Sequence, residues 1–86
     1  MENFESMSIY PNPARDLITV SLVQKATNPV EVVRIVDPSG KLLQSQNPSM
    51  TDQLNIDISN LPLGVYIIQA ITQDGNIKTE RFIKVQ

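Results

Sequence analysis

No cysteine and no histidine occur in the 86 residues of this chain. The first absence removes disulfides, thiol nucleophiles and thiolate metal sites. The second removes the imidazole: no Ser-His or Cys-His pair, no His-ligated zinc and no histidine general base can be built here. Tryptophan is also missing, and the aromatics are Phe4, Tyr10, Tyr66 and Phe82 alone. The three glycines stand far apart and form no phosphate-cradling loop. Net charge is −2, without the basic excess that neutralises phosphates, so nucleic acid is not an expected partner. The longest apolar stretch, around Val65-Tyr66-Ile67-Ile68, falls far short of the roughly 20 residues of a membrane-spanning helix. The opening residues, Met1-Glu2-Asn3-Phe4-Glu5, lack the basic-then-apolar order of a secretory signal. Two alternatives follow: a cytoplasmic protein, or a piece of a larger exported one whose signal lies elsewhere, with Met1 an added start residue.

What is present is Ile, Val and Leu, which make up most of the 41% hydrophobic content. Side chains branched at Cβ pack well on a pleated surface, so the composition favours strands. A chain of this length forms one domain with a modest core. Short apolar runs separated by turn signals predict an all-β fold. The runs are Ser8 to Tyr10, closed by Pro11-Asn12-Pro13; Leu17 to Leu22; Glu31 to Val36; Lys41 to Ser45; Leu54 to Ile58; Val65 to Thr72; and Asn76 nearly to the end. Ile18, Val20 and Leu22 fall on one face of their strand, with Thr19 and Ser21 opposite. Tyr66, Ile68 and Ala70 share one face of theirs, and Val65, Ile67 and Ile71 the other. Asp37-Pro38-Ser39-Gly40 matches a type I turn, and Asp74-Gly75 a two-residue type I′ hairpin. Ser49-Met50-Thr51-Asp52 has the form of a helix capping box, but the alternation of Leu54 to Ile58 decides for a strand. The last strand slips in its alternation between Ile77 and Phe82-Ile83, which suggests a bulge or a twisted edge. About seven short strands make an Ig-like antiparallel β-sandwich the expected fold.

Chemistry is sparse. Asp37, Asp52, Asp57 and Asp74 lack the dense spacing of a calcium loop, and Asp37 and Asp74 are explained as turn residues. Asp52 with Asp57, or Asp57 with Glu80, are the conceivable carboxylate pairs, but a chain this small has little room for a cleft. No catalytic, cofactor or metal site is expected. Tyr66 resembles the tyrosine corner of sandwich folds, and Tyr10 and Phe82 are expected in the core. Pro11 and Pro13 stop the first strand, because proline cannot donate a ladder hydrogen bond, and Asn12 is expected to bond nearby backbone. Lys78, Arg81 and Lys84 on the last strand read either as a charged face that blunts a sheet edge or as a cationic recognition edge.

Three stretches, in order, carry a resemblance. IYPNPARDLITV opens with Tyr10, Pro11, Asn12 and Pro13. VRIVDPSGKLL contains Asp37, Gly40 and Lys41 at a central turn. LPLGVYIIQAITQDGNIKTERFIKV supplies Leu61, Pro62, Gly64 and Tyr66 at a corner, then Arg81, Phe82, Ile83 and Lys84 in a basic terminal element. From Ser8 to Gln86 the chain resembles the C-terminal sorting domain, type A, of the type IX (Por) secretion system of Bacteroidota. The resemblance implies residues 1–7 as the remnant of a linker to an N-terminally fused cargo and residues 8–86 as the sorting domain. It implies a non-catalytic signal that takes the cargo from the periplasm through the outer-membrane translocon. A sortase-like surface protease then cleaves it at or before the first strand, in Met1 to Ser6 or outside this chain, leaving the cargo secreted or on the cell surface. The candidate recognition residues are Lys78, Arg81, Phe82, Ile83 and Lys84, and an exposed last strand would permit edge-to-edge homodimers. The alternatives are a carbohydrate-binding or adhesion sandwich attached to a secreted enzyme, which the poverty in aromatics counts against, and a purely structural Ig-like spacer.

Overall fold

The computed structural model describes residues 4–24, 27–48 and 52–86. It consists of seven strands: β1 (Phe4–Tyr10), β2 (Leu17–Gln24), β3 (Val30–Val36), β4 (Leu42–Gln46), β5 (Gln53–Asp57), β6 (Gly64–Thr72) and β7 (Ile77–Lys84). They form a three-stranded sheet in the order β1-β2-β5 and a four-stranded sheet in the order β4-β3-β6-β7. All strand pairs are antiparallel. The two sheets stack as the expected Ig-like sandwich, with β4 beside β3 in the larger sheet.

Period-two patterning decides which side chains meet between the sheets. Ile18, Val20, Leu22 and Ile56 come from the smaller sheet; Val33, Ile35, Ile68 and Phe82 come from the larger, and all are buried. Leu43 packs against this cluster from β4. The β5 segment forms a strand. The capping-box residues Ser49 to Thr51 lie outside the described residues.

Four features depart from the sequence expectations. β1 begins at Phe4, inside the stretch read as linker, and Met7 is buried in the core. Both hairpins of the larger sheet close through three-residue loops. Gly40 N–H donates to the Asp37 carbonyl at 2.8 Å and Gly75 N–H to the Thr72 carbonyl at 2.9 Å. Gly40 (φ 93°) and Gly75 (φ 92°) then take the left-handed conformation. This is a type I turn followed by a glycine bulge, so the Asp74-Gly75 turn is not type I′. The pairing of β6 with β7 runs unbroken from Gly64↔Lys84 to Ile71↔Ile77, so β7 has no bulge. Its loss of alternation arises because it is an edge strand whose first half exposes both faces. Finally, Tyr10 is 45% exposed, because its register position opposite Thr19 puts it on the outer face of the smaller sheet. There its hydroxyl accepts from Gln53 Nε2 at 3.1 Å.

Candidate functional site

The opening motif and the last strand meet at the outer edge of β7. Both proline bonds of the opening motif, Tyr10-Pro11 and Asn12-Pro13, are cis. Asn12 lies against β7: its Nδ2 donates to the Arg81 carbonyl at 3.1 Å, and its Oδ1 accepts from Ile83 N–H at 3.0 Å. Those two groups are what a neighbouring parallel strand would engage. The main chain continues the same pattern two residues on. Ala14 N–H donates to the Ile83 carbonyl at 2.8 Å, and Val85 N–H donates to the Ala14 carbonyl at 2.7 Å. The opening motif therefore covers the edge from Arg81 to Val85. Asn12 bonds backbone at the far end of the sequence, not nearby as its turn context suggests.

The corner motif meets the same strand from the other side. Leu61 N–H donates to the Ile58 carbonyl at 3.0 Å, and the Tyr66 hydroxyl donates to the Pro62 carbonyl. This is the tyrosine corner of sandwich folds, at the start of the corresponding strand. The Tyr66 ring stacks on Phe82 with centroids 5.5 Å apart. Phe82 is fully buried. Lys84 is only 7% exposed and its Nζ donates to the Ile58 carbonyl at 3.0 Å, the stem crossing apolar surface to reach a polar end. A shallow pocket of about 430 Å³ opens beside it, between Arg15, Leu61 and Gln86.

The residues proposed as one recognition stripe are thus divided. Even-numbered positions of β7 turn toward the interior, which takes Phe82 and Lys84 into the sandwich and places Lys78 on the same side. Odd-numbered positions turn outward, which leaves Arg81 and Ile83 exposed. Strand parity was readable in the sequence and separates Arg81 from both lysines. The edge available to another strand is also short. With Arg81 to Val85 covered, at most Ile77 to Thr79 remains, too little ladder for extended edge-to-edge pairing of two copies.

The aspartates serve the loops. Asp37 Oδ1 accepts from Ser39 N–H, the Ser39 hydroxyl and Lys41 N–H at 2.6–2.9 Å. Asp57 Oδ1 accepts from the Ser59 hydroxyl and N–H. Asp74 Oδ1 accepts from the Thr72 hydroxyl at 2.7 Å and from Asn76 N–H at 3.2 Å. The hydroxyl partner is in each case the main cause that holds the carboxyl below the ordinary aspartate range, and the Lys84 ammonium adds to the effect at Asp57. These are Asx-type loop closures.

Against known families, residues 8–85 match the secretion system C-terminal sorting domain. The chain belongs to that family. It is the C-terminal sorting domain of the type IX secretion system, a non-catalytic signal module. A sorting domain implies a fused cargo, a secretion machinery that carries it, and a protein that ends up secreted or on the cell surface. No curated protein matches the chain. Among solved structures, CopC from Methylosinus trichosporium OB3b is similar in outline. Identity is 17%, covering 92% of this chain and 91% of that one, with a TM-score of 0.44.

Proposed function

We propose that the outer-membrane translocon reads this sorting domain as a folded unit, and that the recognised part centres on the outward side chains of β7, Arg81 and Ile83. Phe82 and Lys84 have a different role: they fasten β7 to the core and to the β5–β6 corner, so that the outward residues are held in a fixed array. The observation that carries this reading is the convergence of two family motifs on one strand. Asn12 of the opening motif binds the edge of β7, and Tyr66 of the corner motif stacks on its Phe82. The ordered motifs also support the finer assignment to type A. Delivery through the periplasm is followed, in this reading, by removal at the surface by a sortase-like protease acting near or before β1.

The test is a periplasmic reporter fused ahead of the full chain in a type IX-competent cell. Surface delivery of the reporter is the expected result, and retention in the periplasm with the domain folded overturns the reading. Deleting residues 78–86 also removes Phe82 from the core, so loss of delivery on that deletion reports unfolding as well as lost recognition. Arg81→Glu, which leaves the core intact, separates the two. It should abolish delivery while the thermal melt of the purified domain stays within a few degrees of the parent.

A further inference from the structure

The outer faces of the two sheets differ in how their apolar side chains are arranged. On the smaller sheet, Ser8 stands opposite Ser21, Tyr10 opposite Thr19, and Thr19 opposite Asn55. Thr19 Oγ1 donates to Asn55 Oδ1 at 2.9 Å. The centre of this face is hydroxyl and amide, and its exposed apolar side chains, Leu17 and Val23, stand apart toward the two ends of β2. On the larger sheet, Val65 stands opposite Ile83 and Ile71 opposite Ile77, with Val32 across from Ile71 on the other side. Val65, Ile77 and Ile83 are 41%, 57% and 43% exposed. Strand β6, outward at Val65, Ile67, Gln69 and Ile71, is therefore largely apolar on both faces, the pattern of a strand covered on both sides, while the outward side of β3 adds Val32 and Val36 beside Glu31 and Arg34.

Charge on this face is predominantly positive. Arg34, opposite Gln69, and Arg81, opposite Ile67, both point outward and are exposed. Glu31, exposed in the bulge of β3, is the one carboxylate on the outward side of these strands and lies toward the end of the face, in a chain whose net charge is −2. A contiguous apolar centre in which arginine outnumbers acid is the composition of a protein-docking surface.

We propose that the outer face of the four-stranded sheet docks a protein surface with an apolar centre and carboxylates at its rim. The inference rests on the reading that a partner recognises the folded domain, and it names the chemistry of that partner. A second copy of the chain is disfavoured, because two such faces brought together would carry more arginine than carboxylate. An anionic lipid surface is disfavoured by the net negative charge and the lack of a basic cluster.

The experiment is a charge series on Arg34 and Arg81 in the reporter fusion, with surface reporter as the readout and the melt of each purified domain as the folding control. The Lys/Lys double variant should export like the parent. Gln/Gln should export less, and Glu/Glu at least about tenfold less, since like charges at an interface cost several kcal/mol and each 1.4 kcal/mol is tenfold. Ser8→Glu with Gln53→Glu, on the opposite outer face, should leave export unchanged. If the parent fusion is not exported, the sorting reading itself fails. If the parent is exported and the series shows no ordering by charge, or only the Ser8/Gln53 variant loses export, the docking face is wrong. A concentration-dependent dimer of the parent that the Glu/Glu variant dissolves would assign the face to a second copy. Binding to vesicles of anionic phospholipid that the Glu/Glu variant loses would assign it to a membrane. Either result overturns the proposal. Should the Glu/Glu domain melt early, comparison of Lys/Lys with Gln/Gln decides.

Discussion

At the scale of single residues, Asn12 does what a strand would otherwise do. Its amide satisfies one carbonyl and one N–H on the edge of β7, and each such bond is worth about 1 kcal/mol net. Asn12→Ala should lower stability by about 1–2 kcal/mol, visible as a drop of several degrees in the melt. It should also give a local rise in hydrogen exchange at Ile83 N–H, which a merely global loss of stability would spread over the core. Tyr66→Phe removes only the hydroxyl bond to the Pro62 carbonyl and keeps the stack on Phe82. A loss of about 1 kcal/mol is expected by urea unfolding, with the β6–β7 cross-peaks unchanged. Neither partner of these residues was legible beforehand in the same degree. The tyrosine corner is local, four residues from donor to acceptor, and a turn next to a strand announces it. The Asn12 contact spans nearly the whole chain, and nothing in a proline-flanked asparagine says which distant edge it will meet.

Among elements, alternation made the strands legible and topology followed from their number. The sequence could not show which strand lies at an edge or what shields it, because pairing is a property of two strands at once. The type I turn at Asp37–Gly40 was legible, but the loop at Asp74-Gly75 was not, for a related reason. A single dipeptide fits either loop length, and the ladder bond from Thr72 N–H to the Asn76 carbonyl, 2.9 Å, decides it. These loops make a prediction about pH. Asp37, Asp57 and Asp74 are all held below their ordinary pKa by hydroxyl and N–H donors. A depressed folded-state value contributes stability that is present above the unfolded value, near 3.8, and is lost as pH falls through the folded one. The urea midpoint should therefore be level from pH 8 down to about 5 and fall below about 4. The triple variant Asp37→Asn, Asp57→Asn, Asp74→Asn should show a shallower acid limb. A limb of unchanged slope would place the acid sensitivity elsewhere. On β7 the two faces predict opposite outcomes. Phe82→Ala should cost about 3–5 kcal/mol, a large share of the roughly 4–13 kcal/mol available to a domain of this size, and leave much of the protein unfolded at 37 °C.

For the whole molecule, the question is why so short a chain keeps so many large apolar side chains outside its core. Folding does not need them. Ile18, Val20, Ile35, Ile68 and Phe82 already fill the space between the sheets, and the smaller sheet shows that the centre of an outer face of this sandwich can be built from serine, threonine and amide side chains. Residues that contribute little to stability yet raise the risk of association are retained for another reason, and in a sorting domain that reason is contact with what reads it. The argument yields a separation of two measurements. Val65→Thr, Ile77→Thr and Ile83→Thr, combined, preserve branching at Cβ and hence strand preference, and remove apolar surface only from the outer face. Stability by urea unfolding should change by no more than about 1 kcal/mol, and solubility should rise. Export of a fused cargo should nevertheless fall steeply. The same exchange at Ile18 or Ile68, facing inward, should instead abolish folding, because a buried hydroxyl without a partner costs about 1–3 kcal/mol on top of the lost packing. If the outer-face triple variant unfolds like the inner ones, the face belongs to the fold; if it folds and exports normally, the apolar surface has no part in recognition.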